Sequence, residues 1–321
     1  LVELIGGIDV VIAPRLPTDV SERARIVVCA RPLLTPALGL TLSRLRESGV
    51  RLIADYDDLL FAGDVSGLPE SVRGSTGPAE QSERLLRYAD GLSAFGSFTV
   101  ATRALAAKLR ASVPRAHVVL VPNGLSEQWV AQGRALYPLF RPGDPLVIRY
   151  FAGSPSHDDD FDSIVPVLAR FLDAHREIRL EVVGPVRFDP SRFPIGSVAA
   201  LPKVSYETLP GLLASTWVNL APLRPSAFND CKSAIKVLES GAFDCPTLAS
   251  ANDDVLRHQE LGAPVSLCST EHDWFAALES MLDVERRRSL GRGIAEHVAR
   301  HGMARTSATA WLTGLGLGEQ A

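Results

Sequence analysis

The chain has 321 residues, with 33 Lys and Arg against 37 Asp and Glu, a net charge of −4, 46% hydrophobic and 22% charged residues. That length predicts about two domains, each able to bury its own core, and the composition excludes a fibrous or disordered protein. No stretch reaches the roughly 18 uninterrupted apolar residues of a membrane span, and residues 1–145 (16 basic, 15 acidic) and 146–321 (17 basic, 22 acidic) both lack the charge excess of a nucleic-acid partner.

In chain order, Ile8–Ala13, Ile26–Ala30 and Arg51–Ala54 are short apolar runs of the kind that parallel strands buried on both faces require. Leu33–Ser48 carries a helical apolar pattern that stops at Gly49. The third strand runs into Asp55-Tyr56-Asp57-Asp58-Leu59-Leu60-Phe61, which places carboxylates at the end of a strand where open α/β sheets bind ligands. Asp64–Pro78 reads as a polar loop, followed by a helix over Ala79–Ala89, a strand near Gly91–Ala94, a helix over Thr102–Ser112 and a strand over Val118–Pro122. Residues 131–146 hold two proline-containing turns without periodicity, and the interdomain linker is expected there.

A second α/β set follows. It comprises strands at Val147–Phe151 and Ile178–Val183, a short strand at Val204, helices at Asp160–His175 and Leu209–Ser215, and the stretch Val218–Ser250. A strand over Ala263–Leu267 and helices over Glu271–Met281 and Val284–Arg300 complete it. The organisation expected is a Rossmann-like domain over 1–140, a second over 141–303, and a C-terminal helix in 304–321 that could pack on either half. No GxGxxG follows the first strand of either half and no Walker A sequence is present, which argues against a classical dinucleotide or P-loop site. Cys29, Cys231, Cys245 and Cys268 show no metal or CxxC spacing and read as free thiols of a cytoplasmic protein. An arginine-rich face on the first half is compatible with peripheral contact to anionic lipid. The chain does not begin with Met, so Leu1 is expected to be a trimmed start or the first residue of a domain within a longer polypeptide.

The stretch Val218–Ser250 is the most informative. A helix is expected over Cys231–Phe243, which would stack Lys232, Lys236 and Glu239 on one face. Cations at a helix start disfavour the helix unless an anion arrives, so the pattern points to a phosphate. Only 4 of the 33 basic residues are lysine, and two of those 4 sit in this turn. A solvated face with a Lys–Glu pair, worth a few tenths of a kcal/mol, is the plainer alternative.

Four motifs in order carry a resemblance: DYDDLLF at 55–61, VLVPNG at 119–124, YFAGSPSHDDDF at 150–161, and the Val218–Ser250 stretch itself. The chain resembles GT-B glycosyltransferases, in particular the retaining GT4-like family of bacterial cell-surface polysaccharide biosynthesis. That resemblance implies two Rossmann-like domains facing each other across a cleft. It implies a nucleotide-diphosphate sugar as donor on the second domain, and a glycan or lipid-linked acceptor approaching from the first. No cofactor and no metal are implied. Enzyme alternatives on the same fold are a nucleotide-sugar epimerase; the non-enzyme alternative is an inactive GT-B-like module of a larger synthase.

On the same basis, Lys232 and Lys236 would neutralise the diphosphate, Ser233 would donate to it, and Glu239 would accept from the ribose hydroxyls. Gly153 and Ser154 would let the backbone approach the phosphates. His157 would contact the diphosphate or sugar, or else serve as a loop or capping residue, and Tyr206 would border the base or sit in a core. The wider group carries a glutamate eight positions before the one matched by Glu239, where this chain has Cys231. Asn229, Asp230 or the neighbouring backbone would then contact the sugar. Asp55, Asp57, Asp58 and Asn123 are assigned to the acceptor side, although Asp55-x-Asp57 also has the form of a cation-binding DxD.

Overall fold

The computed structural model describes residues 11–13, 16, 20, 24–61, 78–136, 146–154 and 157–316. Among them the strands form two wholly parallel sheets. The first runs β1 (Ile26–Ala30), β2 (Arg51–Tyr56), β3 (Ser97–Val100) and β4 (His117–Leu120), in that order. It is flanked by α1 (Pro36–Glu47), α2 (Pro78–Leu92) and α3 (Arg103–Ser112). Caps fix the helix starts: Thr35 accepts from the Leu38 amide with Pro36 behind it, and Thr102 accepts from the Leu105 amide.

Helix α4 (Glu127–Leu136) leads to the second sheet. Its strands are β5 (Val147–Phe151), β6 (Arg179–Val183), β7 (Val198–Leu201), β8 (Val218–Ala221), β9 (Thr247–Ala249) and β10 (Ser266–Leu267). They lie in the order β10-β9-β8-β5-β6-β7. β5 is central, with Ile148 opposite Leu180 on one side and Val218 on the other. The connecting helices are α5 (Asp158–Asp162), α6 (Val165–Ala174), α7 (Leu209–Ala214), α8 (Ala227–Asp230), α9 (Ile235–Gly241), α10 (Asp253–Glu260), α11 (Glu271–Ser280) and α12 (Val284–His301). Last comes α13 (Ala304–Gly314).

Several sequence expectations shift. The strand expected at 91–94 falls on the end of α2, and the strand lies at Ser97–Val100. The helix expected over 160–175 is split, because Pro166 belongs in a first turn and starts α6 anew. β7 and α10 were not anticipated, and no strand forms at Val204. Of the expected strand 8–13 only Val11–Ala13 are described, and they are not in a strand; the polar loop over 64–77 lies outside the described residues. Residues 131–136 of the expected linker are instead the last turns of α4, and 137–145 lie outside the described residues.

The two halves exchange elements. Helix α4 buries Trp129 and Val130 against Leu213, Ala214, Leu238, Ala242, Phe243 and Val298 of the second half. Its approach is so close that a Cβ on Gly133 would stand 1.9 Å from the Ala242 carbonyl oxygen. In return α13 packs on the first sheet, where Leu315 just beyond it joins Ile53, Val119 and Val121 and its carbonyl accepts from Arg51 Nη1 at 2.5 Å. The two crossings run side by side: the Leu125 amide donates to Gly302 O (2.8 Å) and the Ala304 amide to Leu125 O (2.9 Å). A Cβ on Gly124 would meet Ala304 N at 2.7 Å, so only glycine fits there. No helix among the described residues is long and apolar enough to cross a membrane.

A further contact joins the halves. Phe228 and Cys231, 4% and 1% exposed, belong to the core cluster of the first domain, with Tyr56, Phe61, Leu105 and Leu109. Truncating a buried Phe costs about 3–5 kcal/mol. Phe228→Ala is therefore expected to lower stability in urea unfolding by about 3 kcal/mol; a loss below about 1 kcal/mol would show that this plug is not part of the folded core.

Candidate functional site

The C-terminal ends of β5 and β8 face the C-terminal end of β2, and the loops that follow them converge. After β8, Ser226 caps the single turn of α8 by accepting from the Asn229 amide at 3.1 Å. The chain then leaves helical geometry at Lys232 and Ser233, and α9 begins only at Ile235. This corrects the expected continuous helix over 231–243. Its cause is α10: Asn252 Nδ2 donates to Lys232 O (2.9 Å) and Asn229 O (3.3 Å), while Asp254 Oδ2 accepts from the Ala234 amide (2.8 Å). Side chains thus satisfy backbone groups that a helix would otherwise pair internally. Lys232 and Lys236 are not stacked on one helix, yet the Lys232 ammonium lies close enough to depress the proton affinity of Lys236.

Asp160 is the hub, and sequence reasoning missed it. Its side chain is 3% exposed. Oδ1 accepts from the Arg224 amide (2.9 Å) and from Asn229 Nδ2 (2.8 Å); Oδ2 faces His157 Nδ1 (3.1 Å) and Lys232 Nζ (3.5 Å). Burial alone would raise this carboxyl, but the His157 bond, Lys232 and the Arg224 amide outweigh it and hold the group below its usual range. The available signal was the three-residue spacing of His157 and Asp160 around a helix start, which places both on one side of the turn.

Both ammonium groups are sealed from solvent, and neither Nζ has a hydrogen-bond partner among the described residues. Lys236 Nζ lies 5.0 Å from the centre of the Tyr150 ring and Lys232 Nζ 5.2 Å from that of Phe228. Burial first, and Lys232 second, bring the Lys236 pKa down to about 8; Lys232 is lowered for the same leading reason. His157 is brought down to about 4 by burial and by Lys236. Glu239 is pushed up to about 7 by burial, against the opposing pull of Lys236. Cations left buried without full pairing are costly, so the pocket is set up to receive an anion.

The other residues singled out in the sequence take the following places. Trp129 Nε1 donates to Glu239 O (3.3 Å), and Tyr206 stacks on the Trp129 indole at 4.4 Å and 27°. Tyr206 is 56% exposed, which rules out the core alternative. Ser233 accepts from Asn123 Nδ2 at 2.9 Å, so a residue expected on the acceptor side clasps one expected on the donor side. Gly153 is exposed, a Cβ on it would meet nothing, and its carbonyl accepts from Lys203 Nζ (2.8 Å); Ser154 beside it is half-buried. Asp230 is exposed on α8.

Across the cleft, Asp55 is half-buried and accepts from Thr99, and desolvation raises its pKa. Asp57 and Asp58 share Arg31, with Asp58 Oδ2 3.2 Å from the guanidinium, and Asp58 also feels the charge of Lys232. Cys231, which stands where the sequence resemblance expects a glutamate, is fully buried. It turns into the first core, its carbonyl accepts from Thr102 Oγ1 (3.0 Å), and burial pushes its thiol up to about 12.

Solved structures share this architecture. Sucrose-phosphate synthase from Thermosynechococcus elongatus aligns with a TM-score of 0.61 at 17% identity, over 92% of this chain and 73% of its own. HepE from Anabaena, solved with UDP and glucose, aligns at 0.63 and 11%, over 91% and 78%. WaaG, a glycosyltransferase involved in lipopolysaccharide biosynthesis, aligns at 0.59 and 14%, over 89% and 85%. No protein-family model and no curated protein sequence matches the chain. The fold is GT-B, two Rossmann-like units facing each other across a cleft.

The Glu239 environment has a testable sign. Its folded pKa, about 7 against 4.5, lies above the unfolded value, so its stabilising contribution is present below pH 4.5 and is lost as pH rises through 7. Glu239→Gln is expected to gain up to about 3 kcal/mol relative to the native protein at pH 8, and to show no gain at pH 4. Urea titrations at the two pH values that give equal differences would overturn the assignment.

Proposed function

We propose that this chain is a glycosyltransferase that moves a sugar from a nucleotide-diphosphate sugar to a glycan or lipid-linked acceptor. The observation that carries the reading is the pair of buried ammonium groups, Lys232 and Lys236, neither hydrogen-bonded among the described residues, in the cleft of a GT-B fold. The UDP and glucose bound by HepE support a ligand of that class.

Lys232, Lys236 and Ser233 hold the diphosphate, and the ammonium groups offset the charge that builds on the departing nucleotide, a task for which a divalent cation is not needed. Glu239 accepts from the ribose hydroxyls, and Tyr206 on its Trp129 platform borders the base. Gly153 and Ser154 admit the diphosphate from the facing loop, with Asn229 and Asp230 toward the sugar. Asp55, Asp57, Asp58 and Asn123 line the acceptor's approach. Transfer proceeds with retention: the leaving phosphate oxygen, on the same face as the incoming hydroxyl, takes the acceptor's proton, so no protein base is required at that step. The setting is GT4-like synthesis of cell-surface polysaccharide by a cytoplasmic protein that touches the inner face of the membrane.

Incubation with UDP-, GDP-, dTDP- and CMP-sugars, with nucleotide release as readout, is expected to show turnover with one base and to depend on an acceptor. Acceptor-independent turnover of the donor would point to an epimerase, and neither binding nor release with any donor to an inactive module. Lys236→Met is expected to abolish nucleotide binding while raising stability by about 1–3 kcal/mol, because it removes a poorly paired buried charge. Unchanged binding by the folded variant would overturn the assignment of Lys236.

A further inference from the structure

Asp160 has only acceptor work to do. Its Oδ1 receives a backbone amide from Arg224 and an amide hydrogen from Asn229. The Asn229 amide cannot be flipped, because its Nδ2 also donates to Arg224 O at 2.9 Å, and the reversed group would set oxygen against oxygen on both sides. Oδ2 lies beside a lysine ammonium on one side and His157 Nδ1 on the other. A carboxylate so surrounded is ionised and can only accept, so the hydrogen between it and His157 belongs to Nδ1. The imidazole carries no second proton, since it is buried beside two ammonium groups that oppose one. Nε2 therefore presents a lone pair, and it makes no hydrogen bond among the described residues.

A lone pair repels a phosphate oxygen and matches a hydroxyl. We propose that Asp160 is a positioning residue that locks His157 as a hydrogen-bond acceptor, so that His157 receives a substrate hydroxyl while Lys232, Lys236 and Ser233 take the phosphates. The hydroxyl half of this rests on the nucleotide-sugar reading above. Asp160 is also an internal anion beside Lys232, so it competes with the very phosphate that the lysine is there to bind. It thus works against nucleotide affinity and for correct orientation of the sugar, and those two effects have opposite signs.

The isosteric change Asp160→Asn separates them. The variant's amide oxygen can keep both Oδ1 partners, but its NH2 then occupies the place of Oδ2 and must donate. His157 Nδ1 becomes the acceptor, the ring proton moves to Nε2, and the polarity offered to the substrate is inverted. The same change removes the negative charge beside Lys232.

Nitrogen-15 NMR of the histidine-labelled native protein at pH 7.5, with His157 assigned by its loss in His157→Gln, is expected to show the Nδ1–H tautomer, and Asp160→Asn the Nε2–H tautomer. Calorimetry with UDP and with inorganic pyrophosphate is expected to give affinity equal to or up to about tenfold above native for Asp160→Asn. Turnover of the accepted nucleotide sugar is expected to fall roughly 10- to 100-fold in kcat with KM not raised, the cost of facing a hydroxyl with a mismatched polar group. A loss of probe affinity together with kcat marks a merely structural role and overturns the proposal, as does an Nε2–H or doubly protonated His157 in the native protein. Should Asp160→Asn not fold, the native tautomer still decides the lock. Should the native protein bind neither probe, the nucleotide-sugar reading fails and takes the hydroxyl assignment with it, while the tautomer result stands for or against Asp160 by itself.

Discussion

Two lysine ammonium groups held out of water beside the buried carboxylate of Asp160 set the terms for this cleft. Water would solvate each of them well, and every ångström of burial raises the cost of keeping them charged. The protein meets that cost in part with Asp160 and with the faces of Tyr150 and Phe228. Asp160 supplies negative charge to both lysines, with Asp58 helping at Lys232 and Glu239 at Lys236, and what remains unmet is a demand for more. The depressed lysines, the raised Glu239 and the neutral His157 are consequences of the same exclusion of water, acting on groups of opposite sign.

The segment from Ser226 to Ala234 translates that local demand into architecture. One side of it, through Phe228 and Cys231, is part of the first domain's core, and the other presents Lys232 to Asp160 of the second. Asn252 and Asp254 hold its backbone from behind. Asn123 and Thr102 reach it from the first half, at Ser233 and at the Cys231 carbonyl. The anion pocket and the seam between domains are therefore built from the same few residues, and a change in one is felt in the other. Cys231 lies on the seam side of this segment and not on the side of the lysines.

The sheets were legible in the sequence because parallel strands buried on both faces leave continuous apolar runs, as in Arg51–Tyr56 and Val147–Phe151. The lysine pair was legible because lysine is scarce in this chain. What escaped did so for physical reasons. Helix α10 buries Asp254 and His258 beside Val255 while Leu256 is exposed, so its inward face is mostly polar and carries no apolar period. Strand β7 lies at the sheet's edge with its two central alanines exposed. Asp160 stands last in a run of three aspartates that reads as favourable charge at a helix start, and only its three-residue spacing from His157 sets it apart from the other two. The continuous helix expected over 231–243 failed because its interruption is dictated by side chains about 20 residues further on, which local periodicity does not sense.

The exchange of α4 and α13 between the halves bears on how such a chain can be recombined. Each Rossmann-like unit is completed by a helix that the polypeptide delivers from the other side of the seam, where Leu125 and Gly302–Ala304 lie backbone to backbone. A cut at a single point in the sequence would leave one fragment displaying the apolar flank of Trp129 and Val130, and the other displaying the flank of Leu315. The inheritable module is therefore discontinuous: the second unit transplanted into a different partner has to bring α4 from before the seam and leave the last helix behind.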